Sequence, residues 1–166
     1  LVDAGAIALG ASTVSGTYSV TAPGAVTQSG ALAITGATTI SASGYNVTLN
    51  EATNNFVGAV GITGAVVSEV DAGAIILGAS TVSGTYSVTA TAGGDITDSG
   101  VLAITNGATF TVAGGQSIIL DQSSTFSSTV AFAASGGGTI AGVTINDSNT
   151  FDLAALTLTG DLSVTA

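Results

Sequence analysis

The sequence predicts an all-β fold, a parallel β-solenoid of about seven coils stacked at ~4.8 Å. First, residues 2–22 return as residues 70–90 with one difference, Ile76 in place of Ala8, which defines a unit of 68 residues (70 − 2). Second, short stretches alternate apolar and polar side chains between turn residues, and no helical period appears. Third, near-identical copies indicate that each copy meets the same surroundings, as in a stack and unlike a β-sandwich.

Ten segments have the alternation typical of half-buried strands. They are residues 17–22, 31–35, 38–42, 46–49, 85–90, 101–105, 109–112, 129–132, 155–159 and 162–165. Gly, Asn, Asp and Ser lie between them, and these residues favour tight corners. We therefore predict narrow coils with short turns.

The internal alignment sets the expected organisation. TQSGALAITGATTI at residues 27–40 matches TDSGVLAITNGATF at residues 97–110, so the offset grows from 68 to 70 within a turn segment. We predict one solenoid segment, 1–166, with a first unit of about 2–69, a second of about 70–142 and a partial third of about 143–166. Three coils per unit would make each coil about 23 residues long.

A recurring phenylalanine suggests how the coils stack. An apolar strand, an Asn or Asp, a polar corner and then Phe occur three times, ending at Phe56, Phe126 and Phe151. We predict that matching segments lie directly above one another, with these rings in one interior column. The predicted structural core is Phe56, Phe126, Phe151, Ile34, Ile104, Val20 and Val88.

The composition excludes several kinds of partner. The chain has no Lys, Arg, His, Cys, Met or Trp and a formal net charge of −10. Nucleic acid and anionic membrane surfaces would repel it. The apolar stretch 57–67 is too short to span a membrane as a helix, so we expect no membrane insertion. Like charges stacked ~4.8 Å apart would repel, so we expect the carboxylates at corners.

The segments TQSGALAIT, ATNNFVGAVGIT and VDAGAIALGASTVSGTYSVTA resemble a known class of repeats, and the similarity covers nearly the whole chain. That class is the β-strand repeat of giant bacterial exported proteins, the filamentous-haemagglutinin-like and autotransporter-like adhesins. The resemblance implies a right-handed parallel β-helix, export across a Gram-negative outer membrane, and a structural or adhesive role. It carries over no catalytic residue. Residues 133–142, AASGGGTIAG, depart from the pattern.

Four carboxylates are candidate calcium ligands, in two pairs. Glu69 and Asp71 are two residues apart, so on a strand they point to one side; a solvated corner is the alternative. Asp95 and Asp98 form an acidic pair beside a Gly turn, but Asp98 matches Gln28 in the other copy, which favours a turn role. We predict no cofactor, with calcium as the alternative.

Glu51 and Asp121 are the candidates for a carboxylate-based sugar enzyme. They occupy matching corners in two copies, and the common catalytic side chains are absent, so we predict no catalytic residues.

The predicted function is a rigid spacer or filament building block of an extracellular bacterial fibre or stalk. The alternative is an adhesin module that binds glycan or a cell surface through one solenoid face. The expected partners are the chain itself, by end-to-end or lateral stacking, and cell-surface glycans. The last residues, LSVTA, match YSVTA at 18–22 and 86–90, so we expect a longer parent protein with any export signal outside this segment.

Overall fold

The computed structural model describes residues 1–166 as twenty strands without a helix, and every strand pairing is parallel. The all-β parallel solenoid is therefore confirmed. The strands are β1 Ile7–Leu9, β2 Ser12–Val14, β3 Tyr18–Thr21, β4 Val26–Gln28, β5 Leu32–Ile34, β6 Thr38–Ser41, β7 Val47–Leu49, β8 Asn55–Phe56, β9 Val60–Gly64, β10 Val67–Asp71, β11 Ile75–Leu77, β12 Ser80–Val82, β13 Tyr86–Ala90, β14 Ile96–Asp98, β15 Leu102–Ile104, β16 Ala108–Ala113, β17 Ile118–Phe126, β18 Val130–Ser135, β19 Val143–Asp147 and β20 Leu162–Thr165.

Each turn of the solenoid has three faces. Face 1 is a seven-stranded sheet in the order β1-β4-β7-β10-β13-β16-β18. Face 2 holds the second strand of each turn: β2, β5 and β8, then β11, β14, the first part of β17, β19 and β20. Face 3 holds β3, β6, β9, β12, β15 and the end of β17. The bridge from Val130 to Leu153 adds a last turn, so the stack has about eight turns where the sequence predicted about seven.

The 68-residue sequence repeat does not contain a whole number of turns. Paired residues on face 1 are 19 residues apart from Ile7 to Val26 and 22 apart from Ala108 to Val130. The strand equivalent to β1 is β11, ten strands later, whereas one turn has three strands. One repeat is therefore three and one third turns, and each copy lies one face further round the solenoid.

The side-chain columns show this rotation directly. Val14, Ile34 and Phe56 stack on face 2, whereas their equivalents Val82, Ile104 and Phe126 stack on face 3. The equivalents Val20 and Val88 likewise lie on face 3 and face 1. The strand that begins YSVT or LSVT occupies face 3 as β3, face 1 as β13 and face 2 as β20.

The predicted stacking of matching segments is therefore wrong. It assumed coils of about 23 residues, whereas most turns need only 19 to 22 because short strands are joined by short corners.

One continuous core of 34 buried apolar residues fills the stack. Six of the seven expected core side chains are at most 1% exposed, and Phe151 is half-buried against the same core. Phe56 and Phe126 are buried in different columns, and Phe126 contacts Phe110 edge to face with ring centroids 6.1 Å apart.

Two segments differ from the regular pattern. Residues 155–159 form no strand and contain only a bridge between Leu158 and Ile140, because the segment of the turn below that holds Ile140 is not itself a strand. In the divergent segment, β18 ends at Ser135, and Gly136 and Gly137 follow with φ of 69° and 76°. Glycine adopts this left-handed backbone without strain, so the segment forms a wider corner.

Candidate functional site

The four candidate calcium ligands do not converge on one point. No group of three or more His, Cys, Asp or Glu side chains is placed to hold a metal ion. Glu69 and Asp71 do lie on the same side of β10, but that side is the interior, and both are 0% exposed. Asp95 and Asp98 lie half-buried at and near the next corner and accept backbone hydrogen bonds.

The expectation that carboxylates stay at solvated corners is wrong for Glu69, Asp71 and Asp147, all of which are buried. Asp71 shows the reason. On face 2 the ladder stops at β8, and no strand carbonyl lies above Phe56. The Phe56 N–H donates instead to Asp71 Oδ2 at 2.6 Å, and the Gly73 N–H donates to Asp71 Oδ1 at 2.6 Å. The side chain replaces missing backbone acceptors, which a buried amide requires.

The same contact recurs at Asp147, one face further round. The Phe126 N–H donates to Asp147 Oδ1 at 3.2 Å, next to a register shift between β17 and β19. In both places the residue after the Asp donates downward, Ala72 N to Asn54 O at 2.8 Å and Ser148 N to Ser124 O at 2.7 Å. We call this two-bond contact the Asp–Phe junction.

Asp3 is the copy of this aspartate in the first turn of the structure. Its Oδ1 accepts from the Gly5 N–H at 2.8 Å, as Asp71 does from Gly73, but its Oδ2 accepts no hydrogen bond. The Ala4 N–H, which corresponds to Ala72, makes no backbone hydrogen bond either. Asp3 therefore makes one of the two carboxylate hydrogen bonds that Asp71 makes.

This difference predicts unequal effects of the same substitution in the two copies. Asp71→Ala leaves two N–H groups without their acceptor, one of them in the core, and we expect a loss of about 3 kcal/mol in the free energy of unfolding. Asp3→Ala removes one hydrogen bond, from the Gly5 N–H, and we expect a loss of about 1 kcal/mol or less. Guanidinium unfolding of both variants measures the difference; equal losses would contradict the assigned role of Asp71.

Burial changes the acidity of these carboxyl groups. Burial raises the pKa of Asp71 above its usual value, against the two N–H groups that lower it. Burial likewise raises the pKa of Asp98 to about 6, although the N–H groups of Gln122 and Asp121 oppose it. The buried Oδ2 of Asp98 has no hydrogen-bond partner.

The first copy shows what Asp98 replaces. Gln28 there donates from Nε2 to Asn54 Oδ1 at 2.8 Å, and Asn54 donates from Nδ2 to Gln28 Oε1 at 2.9 Å. Ser124 takes the place of Asn54 in the second copy and still accepts the Leu102 N–H at 3.0 Å, as Asn54 accepts that of Leu32. Asp98 is the last residue of β14, and its carboxylate accepts backbone N–H groups of the next turn.

An acid–tyrosine pair lies inside the solenoid. The Tyr86 hydroxyl donates to Glu69 Oε1, and both side chains are at most 1% exposed. Glu69 Oε2 has no partner. Burial raises the pKa of Glu69 to about 8, and burial with the adjacent Glu69 raises the pKa of Tyr86. The sequence analysis missed this pair, because only the register of β10 on β13 brings the two residues together.

Glu51 and Asp121 do not form a catalytic pair. Glu51 follows β7 in the third turn, whereas Asp121 lies within β17 in the sixth. Three layers separate them by about 14 Å. The two carboxyl groups of a glycosidase lie roughly 5 to 10 Å apart.

The one surface depression lies at the first corner, where the end of the stack is open. It is lined by Val2, Asp3, Thr21, Ala22, Pro23, Ser41, Ser43 and Tyr45. The structure contains no helix of the length and apolarity needed to cross a membrane.

The repeats match one family model twice, over residues 1–63 and 63–133. No curated protein and no solved structure matches the chain. The two matches follow one another along the solenoid and together include most of its turns. On this evidence the chain belongs to the family described as repeats of unknown function (DUF5649).

Proposed function

We propose that this chain is a structural repeat segment that acts as a rigid spacer or filament building block of an extracellular bacterial fibre or stalk. The observation that carries the proposal is the repeat geometry. Every repeat adds ten strands to one continuous parallel stack, and one continuous apolar core runs through the turns. Length then grows in proportion to the number of repeats, while the cross-section stays constant.

The stiffness has a physical basis. Each turn bonds to its neighbours through backbone ladders, and inward Val, Ile, Leu, Ala and Phe side chains pack into columns. A turn rises ~4.8 Å, so a repeat of three and one third turns adds about 16 Å. Bending such a rod would open hydrogen bonds on one face and compress the packed core on another.

The extracellular placement is supported by the resemblance to exported bacterial adhesins. The composition is in keeping with a spacer, because it has no Lys, Arg, His or Cys. We expect no turnover, no cofactor, no nucleic-acid partner and no membrane insertion. Antibody binding to intact, unpermeabilised cells of the source organism tests the placement, and labelling only after permeabilisation would contradict it.

Arrays of repeats test the spacer role. We expect each extra copy of residues 2–69, inserted after residue 69, to lengthen the particle by about 16 Å at unchanged cross-section. Small-angle X-ray scattering measures both quantities, with the uninserted chain as reference. Growth of the cross-section with copy number would contradict a rod.

The rival function is an adhesin module that binds glycan through one face, and a column of outward hydroxyl groups favours it. Thr48, Ser68, Ser87 and Thr109 are in register on face 1. Replacing them together with Ala or Val leaves the core untouched. We expect glycan and cell binding to be unchanged by this replacement, whereas loss of binding in a folded, rod-shaped variant would favour the adhesin.

A further inference from the structure

One corner in the middle of the stack has the sequence Asn106–Gly107. It joins β15 to β16, where the chain passes from face 3 to face 1. The chain has seven Asn residues, and Asn106 is the only one followed by Gly. An Asn side chain can react with the backbone nitrogen of the next residue, and Gly hinders this attack least because it has no Cβ. The dipeptide is therefore a candidate for a reaction within the chain itself.

The Asn106 side chain lies at the surface and is held by one contact. Asn106 is exposed, and its Nδ2 donates to the Ser83 carbonyl of the turn below at 3.2 Å, which is the only hydrogen bond of this side chain. A single hydrogen bond at an exposed site contributes only about 1 kcal/mol. The amide can therefore leave Ser83 and turn towards Gly107 at small cost.

The backbone nitrogen of Gly107 is also unengaged. Its N–H donates no hydrogen bond, whereas the Gly107 carbonyl accepts from the Tyr86 N–H at 3.1 Å. The N–H groups of Val47, Glu51 and Phe56, which follow other Asn residues, all donate hydrogen bonds. The Gly107 nitrogen is therefore both unhindered by a side chain and unrestrained by a partner.

We propose that Asn106 is a site of spontaneous deamidation through a cyclic succinimide. The Gly107 nitrogen attacks Asn106 Cγ and loses its proton, the new C–N bond closes the ring, and the side-chain nitrogen leaves with that proton as ammonia. Water then opens the ring at either carbonyl. One opening gives Asp, and the other gives isoaspartate, in which the main chain runs through the side-chain carboxyl carbon. One water is consumed and one ammonia is released, with no oxidant or reductant.

The product changes the contact between this corner and the turn below. The new carboxylate has no N–H for the Ser83 carbonyl, and the chain has no Lys, Arg or His that could pair with the added charge. Isoaspartate also lengthens the main chain and displaces the Gly107 carbonyl from the Tyr86 N–H. The modification therefore weakens the link between two turns, next to the buried acid–tyrosine pair.

The first copy of the repeat indicates the matched variant. Its equivalent corner has Ala37 in place of Gly107, and the Ala37 carbonyl still accepts a hydrogen bond, from the Tyr18 N–H at 2.9 Å. A Cβ added at Gly107 meets only the Thr129 carbonyl, at 3.5 Å, which is ordinary van der Waals contact. Gly107→Ala therefore preserves the corner and crowds only the attacking nitrogen.

Peptide mapping by mass spectrometry of the full folded chain, sampled during incubation at mildly alkaline pH, measures the reaction. A methylation assay specific for isoaspartate distinguishes the two products. The same chain unfolded in guanidinium sets the length of the incubation, which ends when its Asn106 has been converted. Circular dichroism checks that wild type and Gly107→Ala are folded.

We expect folded wild type to convert Asn106 faster than any of the other six Asn residues, with isoaspartate among the products. We expect Gly107→Ala to slow this conversion at least about tenfold, since a barrier only about 1.4 kcal/mol higher has that effect. An Asn106 that stays intact in the folded chain would overturn the proposal. Equal rates in wild type and Gly107→Ala, or conversion to Asp alone, would overturn it too, because direct hydrolysis of the side chain needs no attack by Gly107.

Discussion

Raising the pH from below 4.5 to above 8 is expected to lower the free energy of unfolding by several kcal/mol. The cause is Glu69, whose pKa rises from 4.5 to about 8 when burial removes its carboxyl group from water. At about 1.4 kcal/mol per pKa unit, this difference amounts to something on the order of 5 kcal/mol.

The sign follows from proton linkage. Between pH 4.5 and 8 the folded chain keeps the Glu69 proton, while the unfolded chain has released it. Folding therefore takes up a proton in this range, and stability falls as the pH rises. The stabilisation is fully present below pH 4.5 and lost above about pH 8. Asp71 and Asp98 act in the same direction, because burial raises their pKa values too.

Glu69→Gln isolates the effect, because the amide cannot ionise. We expect this variant to lose most of the pH dependence between 4.5 and 8. Glu51→Gln is the matched control, since Glu51 is half-buried at a corner and its carboxylate accepts no hydrogen bond. Guanidinium unfolding across the pH range measures both. An unchanged slope in Glu69→Gln would show that Glu69 is not the responsible group.

Phe110→Ala is expected to lower the free energy of unfolding by about 4 kcal/mol. Phe110 is fully buried on β16 at the centre of an aromatic cluster. Its ring lies 6.0 Å from Tyr86, 6.1 Å from Phe126 and 6.0 Å from Phe132, centroid to centroid. Removing the ring leaves a cavity under three rings that the stacked backbone prevents from closing.

The half-buried Phe151 provides the control. Phe151→Ala makes the same change in the last turn, where one side of the ring is already open, and we expect about 1 kcal/mol or less. Thermal and guanidinium unfolding compare the two variants. Similar losses for both would mean that the cluster around Phe110 contributes little beyond ordinary burial.

The strand segments illustrate what pattern reasoning predicts well. The alternation at residues 85–90 and 109–112 predicted strands where β13 and β16 occur. The short strand β8 and the long strand β17 were not predicted, because β8 has two residues and β17 continues round a corner as one strand, across the register shift between Leu120 and Ser124. Local alternation reports which side of a strand is buried, and it does not report where the chain turns.

The polar interior was the harder part to predict. Glu69 and Asp71 were correctly placed on one side of a strand, but nothing in their spacing says that this side faces the core. Their roles depend on groups from other turns: the Tyr86 hydroxyl for Glu69 and the Phe56 N–H for Asp71. The recurrence of an Asp at 3 and 71 was a usable signal for Asp71, since both precede an apolar strand by four residues, at Ile7 and Ile75.

The sequence by itself determined that this chain is a parallel stack of short strands, because alternation and near-identical copies can be recognised without knowing how the turns pack. Only the tertiary structure decided which strands of one copy stack on which strands of the next. The number of residues in a turn depends on how tightly the corners close, and 68 residues make three and one third such turns. A copy that is nearly identical in sequence therefore meets different neighbours. Its carboxylates are buried and accept hydrogen bonds inside the solenoid instead of lying at the surface.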